Sequence, residues 1–101
     1  MLLSKLCEKI EFKLLQGSMD TDVEDIIYDS RKVGKDHMFV CMVGAVTDGH
    51  KYIPDAAAKG ASAIVVERES EAENIPENIT VIKVESARYA LALMSAAYFG
   101  Y

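Results

Sequence analysis

The stretch MFVCMVGAVTDGHKYIPDAAAKGASAIVV, residues 38–66, decides the fold. Met38–Val43 is an unbroken apolar run of strand length, as expected for a strand covered on both faces. YIPDAAAKG, residues 52–60, reads as a helix, with Pro54 tolerated in its first turn and Gly60 closing it. SAIVVE is a second buried strand. Strand, loop, helix and strand in this order have the length of a right-handed βαβ crossover, which makes the two strands parallel. Ligands in such sheets sit beyond the carboxyl ends of the strands, where the connecting loops converge.

Outward from this unit, DVEDIIYD predicts a strand ending near Tyr28, and VGKDH a turn pivoting on Gly34 and Asp36. Leu2, Leu3, Leu6 and Ile10 recur at helical spacing and predict a short opening helix, followed by an extended FKLLQG. ITVIKV predicts a further strand, and SARYALALMSAAYF a helix with Ser86 as its N-cap. The expected architecture is α/β: a small sheet of mostly parallel strands covered by helices.

The chain has 101 residues, half of them hydrophobic, which is one domain with enough apolar material for a modest core. A net charge of −5 argues against a nucleic-acid interface. The acid is uneven: residues 67–78 hold five glutamates and one arginine, read as a solvated face, whereas Arg31, Lys32, Lys35 and Lys51 cluster between residues 28 and 51. The two cysteines, Cys7 and Cys41, form no disulfide or zinc pattern, and Cys41 reads as a small buried hydrophobe. The opening segment lacks the apolar core of a signal peptide, and no segment is long and apolar enough to cross a membrane, so a cytoplasmic location is expected.

Two polar clusters flank the central strand: Tyr28-Asp29-Ser30-Arg31 before it and Thr47-Asp48-Gly49-His50 after it. If their strands are parallel neighbours, the clusters meet at one rim. Ser30 reads either as a turn residue bonding nearby backbone or as a hydroxyl offered to a ligand. Asp48 reads as the cap of the following helix, and backbone N–H groups at that helix start are candidates to meet a phosphate, with His50 and Lys51 adding charge. No phosphate-cradling G-x-x-x-x-G-K-[ST] loop is present, and the two histidines are too isolated for a metal site. A Ser30–His50–Asp48 triad can be written on paper but has no support beyond residue type.

These residues carry a resemblance. Asp29-Ser30-Arg31-x-Val33, then Phe39-Val40, then Gly44-x-x-x-Asp48-Gly49-His50, then Ala56-x-x-x-Gly60-Ala61-x-Ala63-x-Val65-Val66 resembles the N-terminal domain of the Mur ligases of peptidoglycan synthesis. LLSKLCEKI and ARYALALMSAAYFGY are most similar to the branch that adds the third peptide residue, L-lysine or meso-diaminopimelate; the branch adding D-alanyl-D-alanine is the alternative. The resemblance implies a three-domain cytoplasmic ligase that uses ATP and magnesium. Residues 1–101 would be its first domain, holding the UDP end of UDP-N-acetylmuramoyl-L-alanyl-D-glutamate. Central ATP-binding and C-terminal domains would lie outside this chain, which alone is expected to catalyse nothing. It implies UDP contacts at Tyr28, Ser30, Val46, Thr47 and Asp48, with Arg31, Gly49 and His50 as further candidates. Contacts at 45–47 are expected through backbone, because that loop varies across the family. Lys35-Asp36-His37 departs from the family's Pro-Gly-Asp, which predicts a looser turn. A stand-alone α/β module that binds a protein partner is the reading from a different class.

Overall fold

The computed structural model describes residues 1–100. In chain order it contains α1 (Leu3–Leu6), β1 (Lys13–Gln16), β2 (Ile26–Ile27), β3 (Met38–Val40), α2 (Ile53–Ala58), β4 (Ala63–Val66), β5 (Thr80–Lys83) and α3 (Ala87–Phe99). Three 3-10 turns, at Ser30–Lys32, Gly49–Tyr52 and Glu69–Asn74, shape the loops between them.

The five strands form one sheet in the order β1-β5-β4-β3-β2. Only β1 runs antiparallel, along β5; the other three pairings are parallel. The expected crossover is present: Met38, Phe39 and Val40 stand opposite Ala63, Ile64 and Val65, with α2 carrying the chain between them.

The unbroken apolar runs have their explanation in the alternation of a strand's side chains across a doubly covered sheet. Met38, Val40, Ala63, Val65 and Ile82 pack with Leu3, Leu6, Ala87, Ala90 and Met94 of α1 and α3. Phe39, Cys41, Ile64, Val66 and Val81 face the opposite way, onto Ile53 and Ala56 of α2. Each fully buried aliphatic or aromatic side chain contributes about 1.5–3 kcal/mol. Helix α3 begins as its sequence predicts, with the Ser86 hydroxyl accepting from the Tyr89 N–H at 3.2 Å.

Three expectations are corrected. The opening helix is a single turn: the Leu3 and Ser4 N–H groups bond to Thr21 and Met19 carbonyls, which stitches the chain start to the 18–23 loop. Leu2 is therefore exposed and bridges Asp22 rather than joining a helical stripe. The strand expected over 22–28 pairs only at Ile26 and Ile27. The turn at 34–37 is not loose. Asp36 alone takes the left-handed conformation (φ 61°), while Gly34 donates its N–H to His37 Nδ1 at 2.9 Å. The Asp36 N–H bonds to the Gly60 carbonyl at 2.9 Å, and Gly60 holds φ 96° with Lys35 Cα 3.1 Å from where a Cβ would stand. A side chain at 60 meets both strain and backbone.

Candidate functional site

Because β2 and β3 are parallel neighbours, the loops leaving their carboxyl ends emerge on the same rim. Beyond β2, Asp29 caps the 3-10 turn of Ser30–Lys32, its carboxylate accepting from the Arg31 N–H at 3.0 Å. The same carboxylate takes the Arg31 guanidinium in a two-point pair, at 3.0 Å from Nε and 2.8 Å from the second nitrogen. That guanidinium holds the Asp29 carboxyl down at about 2. Ser30 is buried (8% exposed), yet its hydroxyl makes no hydrogen bond among the described residues. What is bonded at Ser30 is its carbonyl, which accepts from Lys59 Nζ at 3.0 Å. The turn is held by Asp29, so the serine hydroxyl is left facing the cleft.

Beyond β3 the chain doubles back. The Gly44 N–H donates to the Thr47 carbonyl at 2.8 Å, Val43 bridges Asp48, and the Gly49 N–H donates to the Met42 carbonyl at 2.7 Å. A Cβ on Gly49 would stand 2.7 Å from Met42 N and 3.0 Å from Met42 O, so only glycine permits this approach. Asp48 then caps the turn of Gly49–Tyr52, accepting from the His50 N–H at 2.9 Å.

His50 is buried (3% exposed) with both ring nitrogens engaged. Nε2 accepts from the Glu67 N–H at 3.0 Å, which makes Nδ1 the protonated nitrogen, donating to Asp48 Oδ1 at 2.7 Å. The second Asp48 oxygen takes Arg68 at 2.8 Å, and Arg68 also pairs with Glu71. The His50 backbone N–H, then its ring and Arg68, hold the Asp48 carboxyl far below the usual carboxylate range. Glu67 passes the connection on, its Oε2 accepting from the Ala87 N–H at 2.6 Å at the start of α3. Neither Asp48 nor His50 reaches the Ser30 hydroxyl, so the paper triad is not assembled.

Between the two loops lies a cleft of about 490 Å³. Tyr28, Asp29, Ser30 and Arg31 form one jaw; Met42, Gly44, Thr47, Gly49 and Tyr52 form the other; Arg88 of α3 closes one side. Of the residues singled out in the sequence, Tyr28, Ser30, Arg31, Thr47 and Gly49 come together here. Asp48 and His50 sit behind the wall as its supports, and Val46 is at the loop tip, 97% exposed. Met42, Tyr52 and Arg88 were not legible as cleft residues.

The N–H groups at the helix start are not available to a phosphate: those of Gly49, His50 and Lys51 are spent on Met42 O, Asp48 Oδ1 and Asp48 O. The acidic run is also less detached than its composition implies, since Arg68 ties into Asp48 and Glu69 pairs with Lys13. Nothing among the described residues fits magnesium, because no group of three or more His, Cys, Asp or Glu converges. Both thiols are buried and raised by that burial, Cys7 to about 11 and Cys41 further, which leaves them unreactive.

A mostly parallel sheet covered by helices, with a two-jawed cleft at its carboxyl rim, defines a small α/β domain. Residues 22–99 match the Mur ligase family, catalytic domain, and the chain belongs to that family. It is 42% identical, over 99% of its length, to the UDP-N-acetylmuramoyl-L-alanyl-D-glutamate--2,6-diaminopimelate ligase of Clostridium tetani, and 40% identical over the same share to that of Clostridium perfringens. It spans only 21% and 20% of those two proteins. Among solved structures, the UDP-N-acetylmuramoylalanyl-D-glutamyl-2,6-diaminopimelate--D-alanyl-D-alanyl ligase of Acinetobacter baumannii superposes with a TM-score of 0.78 over 95% of this chain and 21% of that one. At 22% identity that likeness shows the fold.

Proposed function

We propose that this chain is the domain that holds the UDP end of UDP-N-acetylmuramoyl-L-alanyl-D-glutamate in a cytoplasmic ligase adding 2,6-diaminopimelate. The observation that carries the reading is the cleft: the hydroxyl of Ser30, an otherwise buried residue, is accessible and has no protein partner among the described residues, and it lies at a space bounded by two tyrosines, Tyr28 and Tyr52. Rings of this kind offer faces to a base, and a lone hydroxyl offers one hydrogen bond to a phosphate or base edge. The clostridial relatives, named for the diaminopimelate reaction, support that amino acid over lysine and over the D-alanyl-D-alanine reaction. ATP and magnesium belong to the parts of such a ligase outside these residues, and no catalytic step is assigned to this chain.

An amide-resolved NMR titration with UDP tests the reading. Tyr28, Ser30, Thr47 and Gly49 are expected to shift in a saturable way, while residues 71–78 stay still. Shifts confined to the outer face of α3, or none at millimolar UDP, would contradict it.

A further inference from the structure

A UDP site must meet the charge of a diphosphate, and several of the backbone donors around the cleft are already committed. The N–H groups of Gly44, Gly49, His50 and Lys51 are all committed within the loop. At the start of α3 the Ala87 N–H is taken by Glu67 and the Tyr89 N–H by Ser86. The remaining N–H groups are dipoles without net charge, so neutralising a diphosphate falls to a cationic side chain.

Two cations line the cleft, Arg31 and Arg88. Arg31 is neutralised by its two-point pair with Asp29. Arg88 has no carboxylate within pairing distance among the described residues. Its position is also locally unfavourable. It stands in the first turn of a 13-residue helix that has no acidic residue in that turn, where the helix dipole disfavours a cation. Local rules broken without local compensation mark places shaped by something other than folding.

We infer that Arg88 is the residue that reads the diphosphate in this cleft, and that the part-buried Asp48–His50–Glu67 connection positions it. That connection joins the turn carrying Gly49 to the Ala87 N–H, one residue before Arg88, through three hydrogen bonds of 2.7, 3.0 and 2.6 Å. Arg88 is thereby held at the side of the cleft by groups other than those lining it. The inference rests on the UDP reading and adds the group that distinguishes a nucleotide from a nucleoside.

The test is calorimetric or NMR titration of the full chain and of Arg88→Gln and Arg88→Lys with UDP, uridine and inorganic pyrophosphate, at low and high salt. For a lost charge-assisted contact, Arg88→Gln should weaken UDP roughly tenfold or more, with Arg88→Lys between it and the parent chain. Uridine affinity should stay within about twofold, and the salt dependence of UDP binding should flatten. Unchanged thermal unfolding is expected, since the side chain has no ion-pair partner among the described residues. If UDP outbinds uridine on the parent chain and Arg88→Gln keeps that preference, the inference falls and the UDP reading stands. If pyrophosphate binds through Arg88 but uridine and UDP gain nothing from the tyrosines, the UDP reading falls and an anion site remains. No binding of any of the three overturns both.

Discussion

Asp29 and Asp48 open two turns built almost alike. Each caps a 3-10 turn, each accepts from the backbone N–H two residues on, at 3.0 and 2.9 Å, and their backbone angles agree within about 5° (φ −108°, ψ 111° and φ −113°, ψ 114°). The difference lies in the next two residues of each turn. After Asp29 come a serine with an uncommitted hydroxyl and an arginine whose side chain lies outside, 85% exposed. After Asp48 come a glycine pressed on Met42 and a histidine with no free nitrogen. One local motif therefore serves as a face and the other as a foundation. Residue type next to a cap does not reveal which; the neighbour across the sheet does.

If the second turn is a foundation, breaking it should cost folding before anything else. His50→Ala removes two part-buried hydrogen bonds and leaves the Glu67 N–H unpartnered beside a new void. Roughly 2–4 kcal/mol of destabilisation is expected, read as a Tm drop of roughly 10 °C or more. Gly49→Ala drives a methyl into the Met42 backbone and should cost about 1–3 kcal/mol in chemical denaturation. Retained stability in either variant would place the foundation elsewhere.

The two aspartates can be compared by acid. Both carboxyls lie below the ordinary 3.8, so the stability they supply is present above about pH 4 and lost as pH falls. Asp29 is held near 2 and Asp48 lower still, so the thermal unfolding midpoint should fall steadily from pH 4 to pH 2. Asp48→Asn should remove more of this slope than Asp29→Asn, because Asp48 also holds His50 and Arg68. Equal slopes would erase the distinction between the turns. At the small end, Arg31→Ala should lower Tm only slightly, since the pair it breaks is largely solvated.

The fold was legible wherever one segment contains its own reason. Met38–Val40 and Ala63–Val66 read as buried strands because both sheet faces are covered, and Ser86 caps α3 because nothing competes for its hydroxyl. The expected strand over Met38–Val43 stops at Val40, because the chain then doubles back and leaves Val43 exposed in an isolated bridge to Asp48. The short elements were not legible, because their partners are remote: α1 is cut to one turn by carbonyls of residues 19 and 21. The site divides the same way. Both jaws could be read from the crossover topology, whereas Arg88 stands on the last helix, two strands further along the chain than the second jaw. Its only sequence signal was an arginine in the acid-free first turn of a helix. His50 looked like a loop cation because its partner, the Glu67 N–H, is a backbone group beyond the neighbouring strand.

The contrast between face and foundation comes down to Ser30, where a ligand hydroxyl and a turn hydroxyl give opposite results. Ser30→Ala should be titrated with UDP and unfolded thermally in parallel with the parent chain. The expected result is an unchanged Tm with UDP affinity lowered by about 0.5–1.5 kcal/mol for a neutral partner, or about 1.5–3 kcal/mol for a charged phosphate oxygen. Unchanged affinity with a lowered Tm would make Ser30 a turn residue and remove the first jaw from the site.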